Sequence, residues 1–204
     1  MKIIKKTTED DMIAVFLRTE INSKRFRDKL NEILNSLNID LKIIINPNVK
    51  NKEENDIRRY ILNEYRGYGD KNRLFEGFPN NIDWYYVLLN KDDIKKIRYI
   101  NYDYWVELSR GSRYAIDASK NIRKGIEIYG ISNKPFIDAS EVFKKKNKFE
   151  PLILIASIEN KEDMIVLEGH LRVTAYALAI NYVDKVRVLV GYTTKKELEK
   201  WCMY

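Results

Sequence analysis

The chain of 204 residues is 45% hydrophobic and 12% aromatic, which is enough apolar material for one ordinary domain or two small ones and excludes a disordered chain. Its single cysteine, Cys202, excludes an internal disulfide and a metal site built from several cysteines. The net charge of +7 permits nucleic-acid binding, but the positive excess is spread evenly over residues 1–80 and 81–204.

Neither a membrane span nor a secretory leader is predicted. No apolar run approaches the roughly 18 residues that a spanning helix requires, and "MKIIKKTTEDD" lacks the apolar core of a signal peptide. We therefore expect a cytoplasmic protein without a membrane partner. The one dense basic run, "KKKNK" at 144–148, is typical of a solvated loop rather than of a patch that follows phosphates.

Residues 1–80 are predicted to be mainly helical. Residues 7–37 begin with capping hydroxyls and acids and carry apolar residues at helical spacing, which indicates one or two helices. "LKIIINP" at 41–47 fits either a short strand or a turn into the next helix, and residues 52–69 fit an amphipathic helix that glycines end. The polar connector at 70–81 predicts a boundary there.

Residues 81–204 mix strands with short helices. Residues 82–89 predict a strand, and Asn90 is placed to cap a helix after it. Asp138 and Glu141 have the spacing of a capping box, which predicts a helix start before "VFKKK". "PLILIASI" and "DMIVLE" predict a hairpin with residues 152–155 central in the sheet.

A helix, a strand and a short final helix follow the hairpin. "HLRVTAYALAI" is typical of a helix and "KVRVLVG" of a strand, and Thr194 with Glu197 predicts a capped last helix. The fold expected is therefore an α/β protein, with a helical part at 1–80 and a second domain at 81–204.

The segment "LEGHLR" at 167–172 is the strongest candidate site. A strand that turns directly into a helix leaves backbone N–H groups at the positive end of the helix dipole, where an anion can bind. Gly169 would let a phosphate approach, Arg172 would clamp it, and His170 and Thr174 would share one helical face beside it. Glu168 would bind Mg²⁺ or act as a base.

The placement of Arg172 is itself informative. The helix dipole disfavours a cation in the first turn, so either a bound anion or an ion pair with Glu168 or another carboxylate should compensate. We predict the first, namely that Arg172 points into a concave site beside the backbone N–H groups of the Gly169 turn, where a phosphate can bind. Arg172→Ala should then weaken phosphate binding by about 1.5–3 kcal/mol with little loss of fold stability. A glycine at such a turn can also be a purely steric requirement, and a lone histidine there can be an ordinary helix-start residue.

These residues carry a resemblance. The order of elements over 149–191 and the turn "GHLR" resemble the ParB/sulfiredoxin-like superfamily, including bacterial ParB-like proteins of unassigned function. The turn typically reads "GERR" in ParB, "GCHR" in sulfiredoxin and "GHHR" in the free-serine kinases of this fold. Gly169 and Arg172 match all three, and His170 matches the first kinase histidine. His170 stands where sulfiredoxin has its catalytic cysteine, and Leu171 replaces the second basic or histidine position.

The resemblance implies a mixed sheet and a site for a nucleoside triphosphate, ATP or CTP, with Mg²⁺. In ParB-like sites, polar residues upstream of the turn line the pocket. The segment "YDYWVELSRGSR" at 102–113 resembles this part of the family, so Ser109, Ser112 and Arg113 become candidate ligand-binding residues, with turn formation as their structural alternative.

Three functions remain open at this point. The first is a nucleotide- or phosphate-binding protein with phosphotransferase or nucleoside triphosphatase activity, in which Glu168 and His170 are catalytic. The second is a DNA-associated ParB-like module or nuclease, and the third is a non-catalytic partner-binding protein. A homodimer is a further hypothesis, provided that Trp84, Tyr85, Tyr86 and Trp201 are exposed.

Overall fold

The computed structural model describes residues 1–23, 25–70, 72–145 and 149–204, and it confirms the predicted α/β class. The strands are β1 (Lys2–Thr7), β2 (Asp83–Leu89), β3 (Leu152–Ser157), β4 (Ile165–Glu168) and β5 (Val186–Thr193). The helices are α1 (Glu9–Ile21), α2 (Arg27–Ser36), α3 (Lys42–Ile45), α4 (Lys52–Arg66), α5 (Lys91–Lys95), α6 (Asp103–Leu108), α7 (Ala115–Arg123), α8 (Lys134–Lys144), α9 (His170–Leu178) and α10 (Lys195–Leu198). Short 3-10 turns cover Arg73–Phe75 and Ile180–Tyr182.

The sheet is mixed and open, with the order β1-β2-β5-β3-β4. β3 runs parallel to β5, and the other neighbouring pairs are antiparallel. β3 lies between β5 and β4, and all six of its residues are buried. This confirms the predicted central strand with "IVLE" beside it, since a strand covered on both faces reads as a continuous apolar run.

Each face of the sheet has its own hydrophobic core. Ile153 and Leu189 point to the face covered by α1, α2 and α4, whereas Leu154 and Val188 point to the face covered by α5, α6, α7 and α9. The N-terminal helices therefore pack directly on strands from the second half of the chain. The domain boundary placed between residues 80 and 81 stays a prediction, and the first of these cores draws residues from both sides of it.

Local capping explains several helix ends. Thr8 accepts a hydrogen bond from the backbone N of Asp11 at the start of α1, and Asn51 does the same for Glu54 at the start of α4. α4 ends at Gly67, whose φ of 78° is the left-handed conformation of a glycine cap. These observations confirm the helices predicted over 7–37 and 52–69.

Two expectations about secondary structure need correction. α8 begins at Lys134, with Asn133 as the preceding residue and a proline in its first turn, so a capping box at Asp138 and Glu141 is wrong. Asp138 instead forms an exposed ion pair with Lys134 one turn earlier. The sequence also gave no indication of β1, which pairs with β2 at the edge of the sheet.

The segment "LKIIINP" contains the short helix α3 and no strand.

The aromatic residues named for a dimer surface are not exposed. Trp84, Tyr86 and Trp201 are buried and Tyr85 is half-buried, so the condition attached to the homodimer hypothesis is not met. Residues 146–148 of the "KKKNK" run lie outside the described residues. Within the described ranges, every helix is too short or too polar to span a bilayer.

Candidate functional site

The turn between β4 and α9 is shaped by Gly169. Its φ of 107° and ψ of 28° lie in the left-handed region. A Cβ atom there would lie 2.6 Å from Cδ2 of Leu152 and 2.9 Å from Nη2 of Arg172. Both the backbone conformation and the close packing therefore require glycine at this position, and a phosphate is not needed to explain it.

Arg172 is held by the chain on three sides. Its Nη1 donates to the carbonyl oxygens of Glu150 at 2.6 Å and Pro151 at 3.0 Å, and its Nη2 donates to Oε1 of Glu168 at 3.2 Å. The residue is only 9% exposed. The structure contains the ion pair with Glu168, the alternative to the predicted anion contact, and together with the two carbonyl contacts it ties the start of β3 to the end of β4.

Thr174 and His170 face the interior more than the solvent. Thr174 is fully buried, and its Oγ1 donates to the carbonyl of His170 at 2.7 Å and lies 2.6 Å from the hydroxyl of Tyr99. The imidazole of His170 stacks on Trp105 with ring centroids 5.0 Å apart. Its Nε2 is buried and has no hydrogen-bond partner among the described residues.

The surroundings of His170 keep it neutral. Burial lowers the pKa of His170 to about 3, and the positive charges of Arg66, Arg172 and Arg25 add to this effect. A proton donor with such a pKa would be unprotonated near neutral pH. An activity that depends on a charged His170 is therefore not what this environment favours.

Ser109, Ser112 and Arg113 form a polar turn that is closed on itself. Arg113 donates to the carbonyls of Tyr99 and Tyr204, at 2.8 Å and 2.6 Å. The hydroxyl of Ser109 donates to the carbonyl of Trp105 and accepts the backbone N–H of Arg113 at 2.8 Å, and Ser112 donates to the carbonyl of Ser109. These contacts match the structural alternative, and the segment reaches the β4–α9 turn through the ring of Trp105.

Ser112 also lines an open depression of about 500 Å³ on the surface. Its charged side chains are already paired, because Lys96 contacts Glu162 at 2.5 Å and Arg98 contacts Asp163 at 2.6 Å. This depression therefore offers a ligand little unpaired charge.

The N-terminal helices contribute residues that the sequence analysis did not include. Glu20 on α1 has a side chain that is only 1% exposed, and its Oε1 accepts from Nη2 of Arg66 on α4 at 2.5 Å. The Arg66 Nε is buried and lacks a hydrogen-bond partner among the described residues. The Tyr65 hydroxyl and the Glu20 carboxylate are buried next to each other and interact. We call Glu20, Tyr65, Arg66, Glu168 and His170 the junction cluster.

The charges on α1 and α4 shift the pKa of Glu168 in the β4–α9 turn. Burial raises the pKa of Glu168 to about 7, and the negative charge of Glu20 raises it further, whereas Arg172 and Arg66 oppose the shift. Burial and Glu20 also raise the pKa of Tyr65. A carboxyl group poised near neutral pH between two arginines can give or take a proton, which is the property of an acid–base group.

A signal for Glu20 was present in the sequence. Met12, Phe16 and Glu20 follow one another at intervals of four residues, so they share a face of α1, and the first two are fully buried. A carboxylate at a core position of an amphipathic helix requires a buried partner. No comparable signal marked Arg66, since arginine in the last turn of a helix is favourable by itself.

A metal centre is not visible in the described part of the chain. It contains no group of three or more histidine, cysteine, aspartate or glutamate side chains placed to hold a metal ion. Glu168, the proposed ligand for Mg²⁺, is paired with Arg172.

Comparisons with known proteins leave the resemblance untested. No family model, curated protein or solved structure matches the chain. The ParB/sulfiredoxin-like assignment therefore stays a prediction, and the geometry of the site has to carry the functional argument.

Proposed function

We propose that the protein binds a phosphate-bearing ligand at the junction cluster. The observation that carries this proposal is the placement of two arginines at the start of α9, Arg66 and Arg172, each ion-paired with a glutamate. The positive charge of the exposed Arg25 also acts on His170 there. Among the described residues, the carboxylates that pair with Arg66 and Arg172 at the junction are Glu20 and Glu168. A helix start surrounded by excess positive charge is an anion site.

Arg172 and Arg66 have different roles in this proposal. Both hydrogens of Arg172 Nη1 are already given to carbonyl oxygens, so this side chain positions Glu168. A quarter of the Arg66 side chain is exposed, so the accessible part of its guanidinium is the donor that would reach the ligand, while its Nε is buried. Glu168 is the acid–base group beside it.

A nucleoside triphosphate, ATP or CTP, is the first ligand class to test, because the "GHLR" turn resembles nucleotide sites. Mg²⁺ bound with a nucleotide is held mainly by phosphate oxygens and one or two carboxylates. Glu168 would be its protein ligand, and the Glu168–Arg172 ion pair would then have to open. Phosphotransfer or triphosphate hydrolysis would follow from Glu168 acting as a base.

The test is a thermal-shift panel of ATP, ADP, CTP, GTP and inorganic phosphate, each with and without Mg²⁺. A ligand at about 100 times its Kd stabilises the native state by about 2.7 kcal/mol. For a chain of this size, that raises Tm by roughly 5–10 °C. Duplex DNA at two salt concentrations separates the DNA-associated alternative, whose affinity should fall steeply with salt.

Arg66→Ala should abolish the shift. Arg59→Ala is the matched control, because Arg59 lies on the same helix and is also ion-paired, to Glu9 and Asp10. The control should retain the shift. A panel in which no ligand moves Tm in the wild type would refute phosphate binding at this cluster and leave the partner-binding alternative.

A further inference from the structure

An open depression of about 430 Å³ lies beyond the end of α9, at the opposite end of this helix from the junction cluster. Residues 90–92 at the start of α5 and residues 181–184 after α9 line it. Local contacts hold both walls, because the side chain of Asn90 caps α5 and Val183 is buried. The volume falls within the roughly 300–1,000 Å³ of sites for small molecules.

The polar side chains of this depression differ from those of the depression of about 500 Å³ described above, whose charges are paired. The side chains of Lys91, Asn181 and Asp184 line it and form no hydrogen bond or ion pair with a described residue. Asp92, the other charged residue of the lining, is paired with Lys95. The depression therefore offers donors and acceptors whose charges sum to zero.

An aromatic ring forms part of the same lining. Tyr182 is 63% exposed and ends the short 3-10 turn Ile180–Tyr182, where its backbone N–H donates to the carbonyl of Ala179 at 2.8 Å. The Nζ of Lys144 lies 5.7 Å from the centroid of the ring. The turn thus fixes the backbone of Tyr182 while much of the side chain meets solvent. Such a ring beside free polar groups suits a molecule with one apolar face and a polar edge.

We propose that this depression binds a neutral sugar in its pyranose ring form. The C–H face of the sugar ring stacks on Tyr182. The sugar hydroxyls, which both donate and accept, form hydrogen bonds with Lys91, Asn181 and Asp184. An ionic ligand gains less here, because the charges of the lining sum to zero and a single ion pair at an open surface contributes little. Sugar binding at this depression and phosphate binding at the junction cluster do not depend on each other.

The experiment is a ligand-detected NMR titration of the whole chain with the methyl glycosides of glucose, galactose, mannose and N-acetylglucosamine. Sorbitol carries similar hydroxyls without a ring, and it should bind about fivefold more weakly than the best glycoside because it cannot stack. Glycine, a zwitterion, represents an ionic ligand. Binding of no glycoside, equal binding of sorbitol, or tighter binding of glycine overturns the proposal.

Tyr182→Ala tests the stacking. It should weaken glycoside binding by roughly two- to tenfold, the effect expected for one lost aromatic contact. Tyr129→Ala is the matched control, since Tyr129 is 67% exposed and does not line the depression. The control should bind as tightly as the wild type. Equal losses in the two variants would show that the sugar contacts exposed tyrosines without preference, which overturns the site.

Asp184 distinguishes a neutral ligand from a charged one. Asp184→Ala should weaken glycoside binding, and Asp184→Asn should restore most of it, because an amide oxygen also accepts a hydrogen bond from a hydroxyl. Both variants should unfold in urea like the wild type, since Asp184 is exposed. Affinity should also be equal at low and high salt. If Asp184→Asn binds as weakly as Asp184→Ala and salt weakens the wild type, the depression recognises a charge, and the sugar proposal is wrong.

Discussion

Arg172 and Arg66 each pair with a buried glutamate, yet their surroundings differ. Arg172 donates to two carbonyls of the segment before β3 as well as to Glu168, and it is almost fully buried. Arg66 holds Glu20, reaches solvent and has an Nε without a partner among the described residues. The comparison shows that a charged side chain at a turn, such as Arg172, can have a structural role. The side chain available to a ligand then comes from another helix, as Arg66 does.

The largest expected effect is on stability and comes from Arg172→Ala. Removing this guanidinium leaves Glu168 without its ion-pair partner and two carbonyls without donors. Loss of one partner of a buried ion pair costs about 3–5 kcal/mol. Arg66→Ala should cost clearly less, because its side chain is partly exposed. Urea unfolding measures both.

A reversed order would break the comparison. If Arg66→Ala is the more destabilising change and Arg172→Ala retains its stability but loses ligand, then Arg172 is the anion contact. For Arg172→Ala, this is the outcome that the sequence predicts, since the sequence does not show the contacts of Arg172 with Glu150 and Pro151. Arg172→Lys should recover only part of the stability, since an ammonium cannot reproduce the planar fork.

The second expected effect is on the pH dependence of stability. Glu168 has a folded pKa of about 7 against an ordinary 4.5, so its contribution is present at low pH and lost as pH rises toward 7. His170 has a folded pKa of about 3 against 6.5, so its contribution is present above pH 6.5 and lost as pH falls. Between pH 4.5 and 6.5, Glu168 therefore makes the free energy of unfolding fall with pH, and His170 makes it rise.

Single variants should separate the two slopes. In Glu168→Gln, stability should rise with pH between 4.5 and 6.5 by up to about 1.4 kcal/mol per unit, the value for one proton. In His170→Phe, stability should fall with pH over the same range. Urea titrations at several pH values measure this, and two parallel flat profiles would show that neither group is shifted as described.

The smallest expected effect concerns the polar turn at residues 109–113. Ser112→Ala removes hydrogen bonds to the carbonyl of Ser109 and from the backbone N of Tyr114, worth about 0.5–1 kcal/mol together. Ligand affinity should not change, because these contacts stay within the turn. If Ser112→Ala lowers the affinity for the ligand while the protein stays folded, residues 109–113 contact the ligand.

The central strands could be predicted because a continuous apolar run in the sequence indicates burial on both faces of a sheet. Residues 152–155 form a continuous apolar run, and such a run fits a strand covered on both sides. β1 was not predictable, since five of its six residues are exposed and its lysines are typical of a polar terminus. Its strand conformation depends on pairing with β2, which is a contact between distant parts of the chain.

The site residues also divide into those that local sequence predicts and those that depend on contacts between distant parts of the chain. The strand, glycine and helix of "LEGHLR" follow from local sequence, and so did Glu168 as a candidate acid–base group. For Arg172 the sequence predicts a bound anion, because a sequence shows the dipole penalty and not that Glu168 and two carbonyl oxygens surround the side chain. Glu20 and Arg66 enter only through the packing of α1 and α4 on the sheet, and only Glu20 gave a signal in advance.

The strand order has a consequence for folding kinetics. β3, β4 and β5 lie within residues 152–193 and are adjacent strands in the sheet, with α9 between β4 and β5 in the chain, whereas β1 and β2 join from far upstream. Closing long loops costs entropy before their contacts form, so nearby segments assemble more readily. We expect the β3–β5 unit to appear first and the docking of α1 to come last, so that the nascent protein acquires Arg172 in its final contacts well before it acquires Glu20.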